Sequence, residues 1–108
     1  MSMVLTRGAV NVLSNMLQGN KWYGSTKSAY LGGQILASVF PEPEEPPKEQ
    51  AGLKDWIAEK ITVDLTKAQC KTVKECVEYY LNEKTLPPGK IVFEIMELFG
   101  MAPDADKD

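Results

Sequence analysis

The chain contains no histidine. That absence removes the commonest general base at neutral pH, the Ser-His and Cys-His nucleophile pairs, and the usual nitrogen ligand of zinc. Cysteine is scarce as well: Cys70 and Cys76 are the only two, six apart in one predicted helix. Six steps of about 100° put them on different faces, so they do not bridge within that helix. Reduced, structural thiols are expected, which fits a cytoplasmic protein. No C-x-x-C, glycine-rich phosphate loop or G-x-S-x-G occurs, and these are the patterns that redox, nucleotide and hydrolase chemistry use. No apolar run approaches the roughly 20 residues that cross a bilayer. The N-terminus lacks the basic stretch and long apolar block of a secretion signal. The expectation is one cytoplasmic domain of 108 residues with no membrane partner, no cofactor and no enzymatic activity.

Acid is missing from residues 1–40, which hold Arg7, Lys21 and Lys27. It returns in 41–50, where Glu42, Glu44, Glu45 and Glu49 face a single lysine, and again in the tail at Asp104, Asp106 and Asp108. The net charge is −3 and the isoelectric point is about 5.0, far below the basic values typical of nucleic-acid domains.

What is present is a loose internal repeat. Sliding residues 5–40 by sixty positions lays Leu5-Thr6-Arg7 over Leu65-Thr66-Lys67 without a gap. Val10, Leu13, Met16 and Leu17 fall on Cys70, Val73, Cys76 and Val77; Leu31, Ile35, Leu36 and Val39 fall on Ile91, Ile95, Met96 and Phe99. Met1-Ser2-Met3 lies over Ile61-Thr62-Val63. Identities are three, so the signal is the coincidence of apolar spacing,.

In chain order, residues 1–5 read as a short strand. Thr6 caps a helix over about 7–18 with Val10, Leu13, Met16 and Leu17 as its stripe, ended by Gly19-Asn20. Ser25 or Thr26 caps a second helix over about 27–40. Gly32-Gly33 inside it costs about 1 kcal/mol per glycine relative to alanine and implies close backbone approach. Residues 41–48 carry four prolines and read as a stiff, extended connector. Leu53, Trp56 and Ile57 give a short helix over about 50–59. Ile61, Val63 and Leu65 alternate as a strand, which would pair antiparallel with the first if a twofold axis relates the two units.

Thr66-Lys67-Ala68-Gln69 is a capping box opening a helix to about residue 82, with Cys70, Val73, Val77 and Tyr80 as its seam. Pro87-Pro88 sets the first turn of a last helix over about 88–99, with Ile91, Val92, Ile95, Met96 and Phe99 inward and Gly100 at its end. From Ala102 a frayed acidic tail is expected. The fold class expected is mainly α: a pseudo-twofold pair of helical hairpins, a four-helix assembly plus a short extra helix, with a two-stranded β-ribbon. The units are 1–40 and 51–101, joined by the 41–50 connector.

Three constellations could carry function. Glu75 with Glu78 and Glu94 with Glu97 are two E-x-x-E pairs on neighbouring helices, and residues three apart share a helix face. They resemble the divalent-metal motif of all-α nucleoside triphosphate pyrophosphohydrolases of the MazG and dUTPase-like type, which implies Mg²⁺ or Mn²⁺ held by four carboxylates. The helical wheel opposes that: Glu75 and Glu78 lie roughly 100–160° from the Val73–Val77 seam. It puts all four on the solvated outside, paired with Lys71, Lys74 and Lys90. The second constellation is Lys21-Trp22-Tyr23 through Lys27, with Tyr30 one turn on. Basic residues interleaved with aromatics suit single-stranded nucleic acid, and Arg7, Lys67, Lys71 and Lys74 would extend the basic surface. The third is a protein-binding surface made by Trp22, Tyr23, Tyr30, Tyr79 and Met101, since aromatics and methionine favour interfaces. The leading expectation is a small non-enzymatic interaction or regulatory protein that binds another protein or a second copy of itself. Nucleic-acid binding through Arg7, Lys21, Trp22, Tyr23, Lys27 and Lys67 is the alternative, and the glutamate hydrolase comes third.

Overall fold

The computed structural model describes residues 2–41, 45–86 and 89–101. Among these, the chain is mostly helical, with a small two-stranded antiparallel sheet. The order is β1 (Ser2–Thr6), α1 (Arg7–Leu17), α2 (Thr26–Gln34) running into a π-turn (Ile35–Val39), α3 (Gln50–Ala58), β2 (Lys60–Asp64), α4 (Lys67–Asn82) and α5 (Lys90–Leu98). Residues 42–44 of the connector, Pro87-Pro88 (expected as the first turn of the last helix) and the expected acidic tail from residue 102 lie outside the described residues.

Strand alternation sets the ribbon. Leu5 and Val63 turn inward and are buried, while Ser2, Val4, Thr62 and Asp64 turn outward. The register pairs Met3 with Val63 and Leu5 with Ile61 on the inner face, and Val4 with Thr62 on the open face. Each strand leads into a capped helix. The Thr6 hydroxyl accepts from the Ala9 N–H to start α1, and Thr66 with Gln69 forms the reciprocal capping box of α4, which satisfies N–H groups the helix leaves unpaired.

α1 is the central helix. It buries Ala9, Val10, Leu13, Met16 and Leu17 and packs against α3, α4 and α5, while α2 packs against α4. Leu5, Leu13, Leu65, Val73, Val77, Ile35 and Ile95 are fully enclosed between them. Gly8 permits the close packing: a Cβ there would lie 2.7 Å from Ile57 of α3 and 3.1 Å from Ile91 of α5.

The second predicted helix does not stay α-helical to its end. After Gln34 it widens, and the Phe40 N–H donates to the Ile35 carbonyl at 2.9 Å. At about 100° per residue an α-helix would place Phe40 about 140° from Ile35. The wider closure brings both to the interior, where each is buried, and Pro41 then ends the helix for want of an N–H. Gly32 serves the close approach its position implied, since a Cβ there would lie 2.7 Å from the Trp22 ring; Gly33 has open space.

Two helices end in the left-handed conformation. Gly100 (φ 67°) follows α5, and the Met101 N–H reaches back to the Met96 carbonyl at 2.8 Å. After α4 the same turn is made by Lys84 (φ 59°), with the Thr85 N–H donating to the Tyr80 carbonyl at 3.1 Å. A lysine there bears a steric cost that glycine would not.

Candidate interaction surface

α5 decides where the accessible apolar surface lies. Six of its nine residues are apolar, yet Ile95 is the one it buries fully; Phe99, just beyond its end, is also buried. Ile91, Val92 and Met96 were expected to turn inward, and each is only half-buried. The reason is a shortage of neighbours. α1 covers one side of α5, and nothing among the described residues covers the opposite one. Phe93 stands 66% exposed on that side, and Leu98 is 37% exposed. A groove of about 480 Å³ opens between α1, α3 and the start of α5, lined by Val12, Ile57, Leu86, Gly89, Lys90, Ile91 and Val92. Its lining is almost wholly apolar, which makes it a receptacle for an apolar side chain rather than for a charged ligand.

The sequence singled out other residues. Trp22 is 4% exposed, and its indole N–H donates to the Leu17 carbonyl at 3.1 Å. It is a core plug against Gly32, so its face is closed to stacking. Arg7 is held at the α1–α3 junction. Its guanidinium pairs with Glu59 at 3.0 Å and lies 5.5 Å from the centre of the Trp56 ring. Tyr79 is half-buried and packs edge-on to Tyr80 at 5.4 Å, while the Tyr80 hydroxyl donates to the Met16 carbonyl. Lys21, Tyr23, Lys27, Tyr30 and Lys67 are exposed, Tyr30 at 70%. The structure brings Lys21 beside Tyr79 in a cleft of about 240 Å³. It also sets Lys27 and Lys71 on the walls of a cleft of about 200 Å³ between α2 and α4. Trp22 and Tyr23 meet edge-on at 5.6 Å beside Gly33 and Leu36. These groups therefore do not merge into one basic-aromatic surface with Arg7.

Two of the four glutamates depart from the sequence reading. Among the described residues no group of three or more carboxylate, thiol or imidazole side chains is placed to hold a metal ion. Nor do all four sit on a solvated face. Glu94 accepts from the Thr6 N–H at 3.2 Å and from the Thr6 hydroxyl at 2.9 Å, at the N-terminus of α1. Glu75 accepts from the Gly24 N–H at 3.3 Å and the Ser28 hydroxyl at 3.0 Å, at the N-terminus of α2. Helix N-termini present unpaired N–H groups and the positive end of the dipole, and each draws in a carboxylate from another helix. Glu78 and Glu97 remain exposed.

Both thiols are free and buried. Burial, with the Glu75 charge adding to it, pushes the Cys76 pKa up from 9.0 to about 12, so it carries no nucleophile at neutral pH. Burial, then Cys76 and Tyr79, also raise the Tyr80 hydroxyl above its ordinary value.

The residues that sequence reasoning overlooked are Phe93, Leu98, Val12 and Leu86. The signal for them was the composition of α5, which is apolar on nearly every side; such a helix needs enclosure on every side. No family model matches the chain, and no curated protein or solved structure matches it either. No described helix is long and apolar enough to cross a membrane.

Proposed function

We propose that this is a small, non-enzymatic interaction or regulatory protein that works by docking another protein, with the open side of α5 and the adjoining groove as its docking surface. The observation that carries this reading is Phe93, a large apolar ring 66% exposed on a helix whose first turn also lines an apolar groove of about 480 Å³. Exposed apolar surface marks interaction sites, and aromatic anchors dominate protein interfaces. The paired Arg7, the enclosed Trp22 and the inert Cys76 leave few groups for chemistry. A cytoplasmic setting fits the two free thiols.

The finer architecture belongs to the same proposal: a pseudo-twofold pair of helical hairpins forming a four-helix assembly, with α3 as the extra helix. Three observations support it. Met3 pairs with Val63, its counterpart in the sixty-residue offset, so a twofold axis through that pair would exchange the strands. Thr6 and Thr66, also counterparts, both cap the helix that follows. α1 packs against α5 as α4 packs against α2, an exchange a twofold axis would produce, although the main helix contacts then run between the units and not within each hairpin as expected.

A second reading, nucleic-acid contact, has two observations in its favour. Tyr30 is 70% exposed one turn from Lys27. The ribbon also leaves Ser2, Val4, Lys60 and Thr62 open on one face, and a two-stranded ribbon is one of the elements the major groove of DNA admits.

A tagged pull-down from the native host's lysate, with and without nuclease, tests both. One stoichiometric protein that survives nuclease and is lost with Phe93→Asp or Leu98→Asp supports docking. Retention by both variants overturns it. Material lost on nuclease treatment, with binding that weakens steeply between about 50 and about 200 mM salt, favours the second reading.

A further inference from the structure

We infer that the partner seated on α5 is a second copy of this chain, held by an antiparallel α5–α5 contact about a twofold axis near Phe93. This rests on the docking surface proposed above and names its occupant. Lys90, Phe93 and Glu97 are all exposed. At about 100° per residue they fall within about 60° of one another, so they form one stripe along the open side of α5, reading cation, aromatic, anion. A stripe of that order is complementary to its own reverse. When two copies lie antiparallel and the axis passes between positions 93 and 94, Lys90 of each faces Glu97 of the other, and the two Phe93 rings meet near the axis. An isologous contact requires this self-complementarity.

The other polar group of α5 does not compete. Glu94 is turned away to Thr6. Among the described residues neither Lys90 nor Glu97 forms an ion pair within its own chain, so each is available to a neighbour. The contact is small. A nine-residue helix is about 14 Å long, too short to bury the ~1,600 Å² of a standard interface. The pairing is therefore reversible and depends on concentration.

Sedimentation of the full chain across a wide concentration range tests the inference. Wild type is expected to pass from monomer to dimer as concentration rises, and Phe93→Asp to remain monomeric with an unchanged circular dichroism spectrum. Lys90→Glu and Glu97→Lys are each expected to weaken dimerisation about tenfold, since each replaces two attractions with two repulsions. Mixing those two single variants should restore association, now as a heterodimer with both pairs attractive, and the double variant should dimerise by itself. A wild type that stays monomeric throughout overturns the inference, as does a dimer indifferent to Phe93→Asp or a mixture that does not associate. If wild type is monomeric but a protein captured from lysate is lost with Phe93→Asp, self-pairing falls and the docking reading stands. If nothing captured depends on Phe93, both fall.

Discussion

α4 and α5 both pack against α1, but they differ in how composition relates to burial. α4 has a modest apolar content and buries six residues, two of them the polar Gln69 and Thr72. α5 is the more apolar helix and buries only Ile95. α4 lies against both α1 and α2, with Tyr80 reaching the end of α1 and Glu75 the start of α2. α5 has α1 on one side, and among the described residues Phe93 on another side stands 66% exposed. Side chains on α4 thus serve the fold of this chain, and the outer side chains of α5 are free to serve an association. Apolar composition states how much a helix needs cover, while the number of neighbours states how much it receives.

The sharpest way to test that contrast is to cut one residue on each side of it. Leu13→Ala and Val73→Ala empty fully enclosed positions in the α1–α4 core. Leu13→Ala is expected to cost about 3 kcal/mol in urea unfolding. A loss below about 1 kcal/mol would mean that the α1–α4 contact is not the centre of the core. Gly32→Ala comes next. Its new methyl meets the Trp22 ring at 2.7 Å, and overpacking of that kind costs typically ~2 kcal/mol. Gly33→Ala, with open space around it, is the matched control and should stabilise the helix slightly.

The buried thiol of α4 gives a pH test. Cys76 ionises near 9.0 when unfolded and near 12 when folded. Its contribution to stability is full below pH 9 and is lost as pH rises through 12, because the unfolded chain releases the proton first. Denaturant midpoints should fall across that window, and Cys76→Ala should flatten the slope. A smaller effect is expected at the end of α4, where Lys84→Gly removes left-handed strain and should raise stability by about 1 kcal/mol. The smallest belongs to α5. At low protein concentration Phe93→Ala is expected to shift monomer stability by no more than about 0.5 kcal/mol. A large loss there would show that the ring is part of the core and would erase the contrast between the helices.

Much of the local structure was legible beforehand because it is set by nearest neighbours in the chain. The Thr66–Gln69 box, the Thr6 cap, the Gly100 turn and the strand alternation around Val63 all follow from spacing. Gly32 could be read as a close approach, though not that Trp22 was what approached. Other features could not be read locally. The destinations of Glu75 and Glu94 depend on helix N-termini 47 and 88 residues away in the chain, and a helical wheel has no knowledge of what lies beyond its own axis. The π-turn at Ile35 depends on Phe40 finding the core, and the pairing of Arg7 with Glu59 depends on where α3 docks.

By itself, then, the sequence determined the elements, their caps, the buried stripe of α1 and α4, and the removal of histidine-based chemistry. These are consequences of side-chain type and period, which act over one or two turns. Only the tertiary structure decided which apolar residues remained outside. Val92 and Phe93 are adjacent and similar in hydrophobicity, yet Val92 lines a groove against α1 and α3 while Phe93 stands in solvent. Burial is a property of the neighbours a side chain acquires, and those come from parts of the chain that its own period cannot specify.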